Sequence, residues 1–162
     1  MTLFVDTSVW SLALRRDAPA DAPEVEALTA ALRGGESLVT TGFVLQELLQ
    51  GFAGPRARKQ IIERFAALPL IVPDRRDHIE AADLRNACRR KGLQLGTIDA
   101  LFAQICTRHD LLMLTADRDF HLAARHIDLR VWSVRDPRHQ YPGKPGRAGR
   151  RSTLPPYPVS SR

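Results

Sequence analysis

Two apolar runs, Leu3-Phe4-Val5 and Leu111-Leu112-Met113-Leu114, contain no alternating polar residue. A strand wetted on one face alternates, so these runs predict strands covered on both faces, as in a parallel sheet under helices. Each run gives way to a polar turn holding an acid: Asp6-Thr7-Ser8 after the first, Thr115-Ala116-Asp117 after the second. Further strands are expected at Ser37-Leu38-Val39-Thr40, Leu70-Ile71-Val72 and Leu129-Arg130-Val131-Trp132.

Helical spacing fills the intervals. Behind Asp21, Pro23 and Glu24, the residues Val25, Leu28, Ala31 and Leu32 recur on one face until Gly34-Gly35 stops them. Thr41 is placed to cap a helix bearing Val44, Leu45, Leu48 and Leu49, and Ala57 to Ala67 offers another. Asp74 predicts the cap of a helix reaching about Lys91, with Asp77 in its first turn. Thr97 is the expected N-cap of Ile98 to His109, and a short helix is expected from Phe120 to Ala124. Strands and helices in this order predict an α/β fold of three layers, a mostly parallel central sheet flanked by helices. Ligand sites in such sheets lie beyond the carboxyl ends of the strands, where Asp6 and Asp117 stand.

The chain of 162 residues, 44% of them hydrophobic, suffices for one domain and its core. Its net charge of +6 suggests a polyanionic partner, yet the charge is unevenly spread. From Asp136 onward six basic residues face one acid, whereas residues 1–135 carry 18 basic and 17 acidic groups. A body at 1–134 and a basic Pro/Gly/Ser-rich tail at 135–162, flexible by composition, are therefore expected. Cys88 and Cys106 fall in helical stretches and make no disulfide framework, which fits a reducing compartment. No run is apolar enough to span a bilayer and the start lacks a secretory pattern, so membrane insertion and secretion are not expected.

Five acids are candidates for chemistry: Asp6, Glu47, Asp99, Asp117 and Asp119. Each alone has an ordinary account. Asp6 suits a helix cap, Glu47 a polar helix face, Asp99 a helix start, and Asp117 and Asp119 a turn. Their joint placement at strand ends and helix starts is harder to explain without a shared role. Clustered carboxylates repel one another unless a cation compensates, and an all-oxygen donor set suits a hard divalent ion such as Mg²⁺. The histidines 78, 109, 121, 126 and 139 show no metal-ligand spacing. Thr7, Ser8 and Thr115 are placed to orient carboxylates or contact substrate. Among the basic groups Arg15-Arg16, Arg56-Arg58-Lys59, Arg75-Arg76, Arg89-Arg90-Lys91 and Arg118, the last is the chosen phosphate contact because it sits between two candidate ligands. Trp10 and Trp132 are assigned to the core or an interface.

Four segments together resemble a known family. Leu3 to Trp10 (LFVDTSVW) resembles the opening of a PIN-domain nuclease, and more narrowly of the VapC-like toxins of prokaryotic toxin–antitoxin pairs. Val44 to Gly51 (VLQELLQG), Gly96 to Ala100 (GTIDA) and Leu111 to Phe120 (LLMLTADRDF) resemble the segments bearing that family's remaining acids, here Glu47, Asp99 and Asp117. The long Pro/Arg-rich tail is a departure from the compact family domain. The resemblance implies a metal-dependent endoribonuclease that cleaves transfer or ribosomal RNA and so inhibits translation. Asp6, Glu47, Asp99 and Asp117 would be its catalytic and metal-holding residues, with Asp119 as an additional ligand, Mg²⁺ as cofactor and Mn²⁺ as a substitute. It further implies a small antitoxin partner, a homodimer and a prokaryotic cytoplasmic location; the apolar faces at Val25–Leu32 and Val44–Leu49 suit such contacts and suit core packing equally. A non-catalytic RNA-binding PIN domain is the alternative. An Asp-nucleophile phosphatase would want Asp-x-Asp where this chain has Asp6-Thr7-Ser8, and a receiver domain would want an acidic pair there.

Overall fold

The computed structural model describes residues 1–15 and 22–136. The expected helix start at Asp21, the basic Arg16 and the tail from residue 137 lie outside the described residues. Strand β1 (Thr2–Val5) is central, and the two apolar runs lie side by side: Leu3 pairs with Leu112 and Val5 with Leu114 of β4 (Leu112–Leu114). On its other edge β1 pairs in parallel with β2 (Ser37–Thr41), which pairs in turn with β3 (Leu70–Ile71). The order β3-β2-β1-β4 is parallel throughout, so all four strands end on the same side.

Helices α1 (Thr7–Leu14), α2 (Pro23–Gly34), α3 (Gly42–Gly51) and α4 (Pro55–Phe65) follow β1 and β2. In this group α1 packs on α2 and α3, and α3 on α4. A second pair, α5 (Arg75–Arg90) and α6 (Thr97–Arg108), packs together ahead of β4, and α7 (Arg118–Ala123) follows it. The core is continuous from the sheet into both groups. Phe4 of β1 meets Phe102 of α6 with ring centroids 5.3 Å apart, and Trp10 of α1 meets Phe65 of α4 at 5.1 Å. Each such buried side chain contributes roughly 1.5–3 kcal/mol of hydrophobic stabilisation. Both cysteines are buried and free, and Trp10 and Trp132 are buried as expected. Among the described residues no helix is long and apolar enough to cross a membrane.

Two local expectations are corrected. Residues 129–132 do not form a full strand: Val131 makes a single bridge to Met113, closed by Met113 N–H to the Arg130 carbonyl and Trp132 N–H to the Met113 carbonyl. Those two bonds satisfy the outer edge of β4, and Trp132 then buries its ring. Thr97 is the first residue of α6 rather than its cap. Gly96 takes the cap position, because Asp99 in the first turn reaches back to accept from the Gly96 N–H at 3.2 Å. On the apolar faces of α2 and α3, open to either core or contact roles, Val25, Leu28, Val44 and Leu48 are buried within the chain, whereas Leu32, Leu45 and Leu49 are half-buried.

The start of α5 is tied to the end of α6 by a charge cluster that sequence spacing does not reveal. Asp74 and Asp77 form a reciprocal capping box, and Arg108 Nη1 lies 2.9 Å from a carboxylate oxygen of each. Bonding to the Asp77 N–H and then to Arg108 holds the Asp74 carboxyl below its usual proton affinity. A depressed carboxyl stabilises the fold above its unfolded value and loses that contribution as pH falls through the folded one. Asp74→Asn keeps the cap but not the charge. It is therefore expected to lower Tm at pH 7, with the gap to the parent closing below the ordinary value of 3.8 in a pH series of thermal melts.

Candidate active site

The strand order turns back at β1, since β2 and β3 lie to one side of it and β4 to the other. In open parallel sheets this reversal opens a crevice beyond the carboxyl ends of the strands that flank it. Asp6 and Thr115 are the first residues past β1 and β4, and the ladder continues between the turns through Asp6 N–H to the Leu114 carbonyl at 2.9 Å.

Asp6 is buried and acts as the hub. One of its carboxylate oxygens, Oδ2, accepts from Ser8 Oγ at 2.6 Å, from Thr115 Oγ1 at 3.0 Å and from the Ser8 N–H at 3.3 Å. Ser8 Oγ in turn accepts from the Ala116 N–H, and Thr115 Oγ1 from the Asp117 N–H, each at 3.0 Å. The two hydroxyls thus lock the β1 turn to the β4 turn. Thr7 faces the other way and donates to Glu47 Oε2, which binds the first turn of α1 to the middle of α3. Asp117 caps α7, accepting from the Asp119 N–H at 2.8 Å.

Asp6, Glu47 and Asp117 each act electrostatically on Asp99. Burial is the largest cause raising the proton affinity of Asp99, followed by the charges of Asp6, Asp117 and Glu47, against a smaller lowering by the Gly96 N–H. The Cys106 thiol is also pushed well up, chiefly by burial and further by the charge of Asp6. Among the described residues no Lys, Arg or His forms an ion pair with any of the four. Three of them, Asp6, Asp99 and Asp117, stand at helix N-termini, where the aligned peptide dipoles partly offset the repulsion.

As placed, the carboxylates do not converge on one point. Among the described residues, no group of three or more His, Cys, Asp or Glu side chains stands in position to hold a metal ion. Like charges repel, and each carboxylate is turned onto a local donor: Asp99 onto Gly96, Asp117 onto Asp119, Glu47 onto Thr7. The donor chemistry nevertheless fits a hard divalent cation, with four carboxylates from four elements and no paired base among them.

Asp119 and Arg118 lie exposed in the first turn of α7. Asp119 is not among the charges acting on Asp99, and its backbone N–H donates to the capping carboxylate of Asp117. Thr7, Ser8 and Thr115 each bond a carboxylate, with Thr115 buried and Thr7 and Ser8 half-buried. Sequence reasoning missed Gly96, although its place three residues before Asp99 is the signal of an N-cap. A Cβ built there would lie 2.6 Å from Asp99 Oδ2, so only glycine admits this carboxylate position.

Comparison with known proteins bears on the family and the fold. No curated protein matches the chain in sequence. Among solved structures, it is similar to VapBC2 of Rickettsia felis bound to a promoter DNA fragment, at 18% identity and TM-score 0.62, over 82% of this chain and 98% of that chain. It is similar to VapBC-1 of nontypeable Haemophilus influenzae at 16% identity and TM-score 0.62, over 82% of this chain and 97% of that chain. It also resembles VapC20 of Mycobacterium tuberculosis, described as a sarcin–ricin loop cleaving toxin, at 20% identity and TM-score 0.58, over 79% and 98%. At such identities the likeness concerns the fold. A PIN domain family model matches residues 3–126, a span that takes in β1, β4 and all four clustered acids, and the chain belongs to the PIN domain family.

Proposed function

We propose that this protein is a metal-dependent endoribonuclease, the toxin of a toxin–antitoxin pair, which hydrolyses phosphodiester bonds in transfer or ribosomal RNA and so inhibits translation. The observation that carries the reading is the placement of acids beyond the strand ends: buried Asp6 follows β1 at the reversal of the sheet, and its charge, with those of Asp117 and Glu47, raises the proton affinity of half-buried Asp99. A domain that only bound RNA would gain nothing from four carboxylates facing a polyanion. The fold shared with VapC chains, one of them described as cleaving the sarcin–ricin loop, supports RNA as the substrate class.

In this reading the four acids hold Mg²⁺, or Mn²⁺ in its place, and Asp119 contributes at the outer edge. When bound, the ion supplies an activated water and charge compensation at the phosphoryl oxygens. The chain's own residues orient the donors. Ser8 and Thr115 fix the Asp6 carboxylate, Thr7 fixes Glu47, and Arg118 meets a flanking phosphate. Residues 1–134 form the catalytic unit and the basic segment 135–162 is an appendage to it. A small antitoxin and a second copy of the chain complete the assembly in the bacterial cytoplasm.

The test is cleavage of end-labelled transfer and ribosomal RNA by purified protein with Mg²⁺, beside a chelator control. Discrete products that vanish with the chelator support the reading; folded, metal-supplied protein that leaves the whole panel intact overturns it. A second measurement concerns Thr115, whose hydroxyl is fully buried. Thr115→Val keeps the shape but removes one donor to Asp6 and the acceptor for the Asp117 N–H. Cleavage is expected to fall roughly 10–100-fold, as for other groups that orient metal-binding side chains. Urea melts should show a loss of about 1–2 kcal/mol from the polar groups left unpaired.

A further inference from the structure

A cavity of about 310 Å³ opens between the first turn of α3, the surface of α5 and the start of α6. Phe43, Ala81, Ile98 and Leu101 give it an apolar lining, and His78, Arg85 and Asn86 a polar one. Its position ties it to the acids. Phe43 stands one turn before Glu47 on the same helix, and Ile98 directly precedes Asp99. On α5, residues 78, 82, 85 and 86 recur at helical spacing, so a single stripe of that helix borders the opening. Arg85 is held there by its Nε, which donates to the Leu95 carbonyl at 2.9 Å, and it also borders an adjoining crevice shared with Arg89.

We infer that this cavity is a nucleobase subsite, which takes one unstacked base of a single-stranded RNA beside the phosphodiester held at the acids. The inference rests on the ribonuclease reading for the identity of the strand. Proteins that read single-stranded RNA place splayed bases against aromatic rings and meet their edges with amides and guanidinium groups. Phe43 and Ile98 offer the apolar surfaces, Asn86 both donors and an acceptor for a base edge, and Arg85 a cation for the neighbouring phosphate. The volume suits one nucleotide-sized ligand. Arginines at the margin, with Arg89 next to them, favour an anionic strand over an apolar helical peptide, which would seek a longer groove.

The experiment titrates the full chain with each of the common ribonucleoside 5′-monophosphates, with ribose 5-phosphate as the baseless control, and follows protein NMR shifts and ligand saturation transfer. At least one nucleotide is expected to move the side-chain signals of Asn86 and His78 and to bind about tenfold more tightly than ribose 5-phosphate. Asn86→Ala, at an exposed position, and Phe43→Leu should each weaken that nucleotide about fivefold or more and leave ribose 5-phosphate unaffected. Equal binding of nucleotide and ribose 5-phosphate, binding that bypasses Asn86 and His78, or no binding overturns the inference. So does an amphipathic Leu/Arg helical peptide that moves those signals when the nucleotides do not, which would make the cavity a protein-docking groove. Base-dependent binding here by a chain that cuts no RNA removes the ribonuclease reading and leaves the subsite. RNA cleavage without base-dependent binding removes the subsite alone.

Discussion

Asp99→Asn is expected to leave the protein folded and to lower RNA cleavage by about a thousandfold or more. In the proposed mechanism the charge lost is one of four that compensate the same cation, and a metal centre contributes several kcal/mol at the transition state, each 1.36 kcal/mol being a factor of ten. Side-chain size barely changes, and the amide oxygen of Asn still accepts from the Gly96 N–H that Asp99 now engages. The fold should even gain. Burial and three neighbouring charges raise the proton affinity of Asp99, so at neutral pH its ionised form counts against the folded state. Tm of the variant at pH 7, in chelator, should therefore exceed that of the parent by about 1–3 °C. That advantage should shrink as pH falls through the raised folded value and be gone below the ordinary 3.8, where the parent is protonated in both states. A folded Asp99→Asn protein that cuts RNA normally would remove Asp99 from the site. One whose Tm falls at pH 7 would show that Asp99 is held by more than the contacts seen here.

Phe102→Ala is expected to give the largest loss of stability of any single change considered. Phe102 lies in the middle of α6, almost wholly buried, with its ring against Phe4 of the central strand. Truncation there loses transfer free energy and leaves a cavity, together about 3–5 kcal/mol, against a total stability of roughly 5–15 kcal/mol for a domain. The midpoint of urea unfolding measures the loss. Phe102→Leu should recover most of it, because a core tolerates a changed shape better than a missing volume. A loss under about 1 kcal/mol for the alanine variant would mean that α6 does not seal the sheet as described.

Local chemistry made much of the architecture legible. The unalternating runs at Leu3–Val5 and Leu111–Leu114 are parallel neighbours at the centre of the sheet, and Thr41, Asp74 and Gly35 end or begin helices as their residue types dictate. Where the reading slipped, a partner outside the local window decided. Thr97 looked like a cap because the reach of Asp99 back to Gly96 is a matter of side-chain geometry. Residues 129–132 looked like a strand because apolar β-formers do not disclose that a single bridge to Met113 completes the edge. Periodicity marked the faces on α2 and α3 as apolar without telling what covers them, and the core takes Val25, Leu28, Val44 and Leu48. Arg108, which clasps Asp74 and Asp77 across two helices, carried no signal at all.

The sequence by itself determined the elements, their order and the acids at their ends, because hydrophobic period, capping and turn chemistry act over a few residues. Only the tertiary structure decided which distant partners fix those acids. Placing β4 beside β1 brings Thr115 to Asp6 across 109 positions, and packing α1 on α3 brings Thr7 to Glu47 across 40. Such meetings depend on which strands pair and which helix faces bury each other, and that is settled by the free energy of the assembled core rather than by any stretch of chain taken alone.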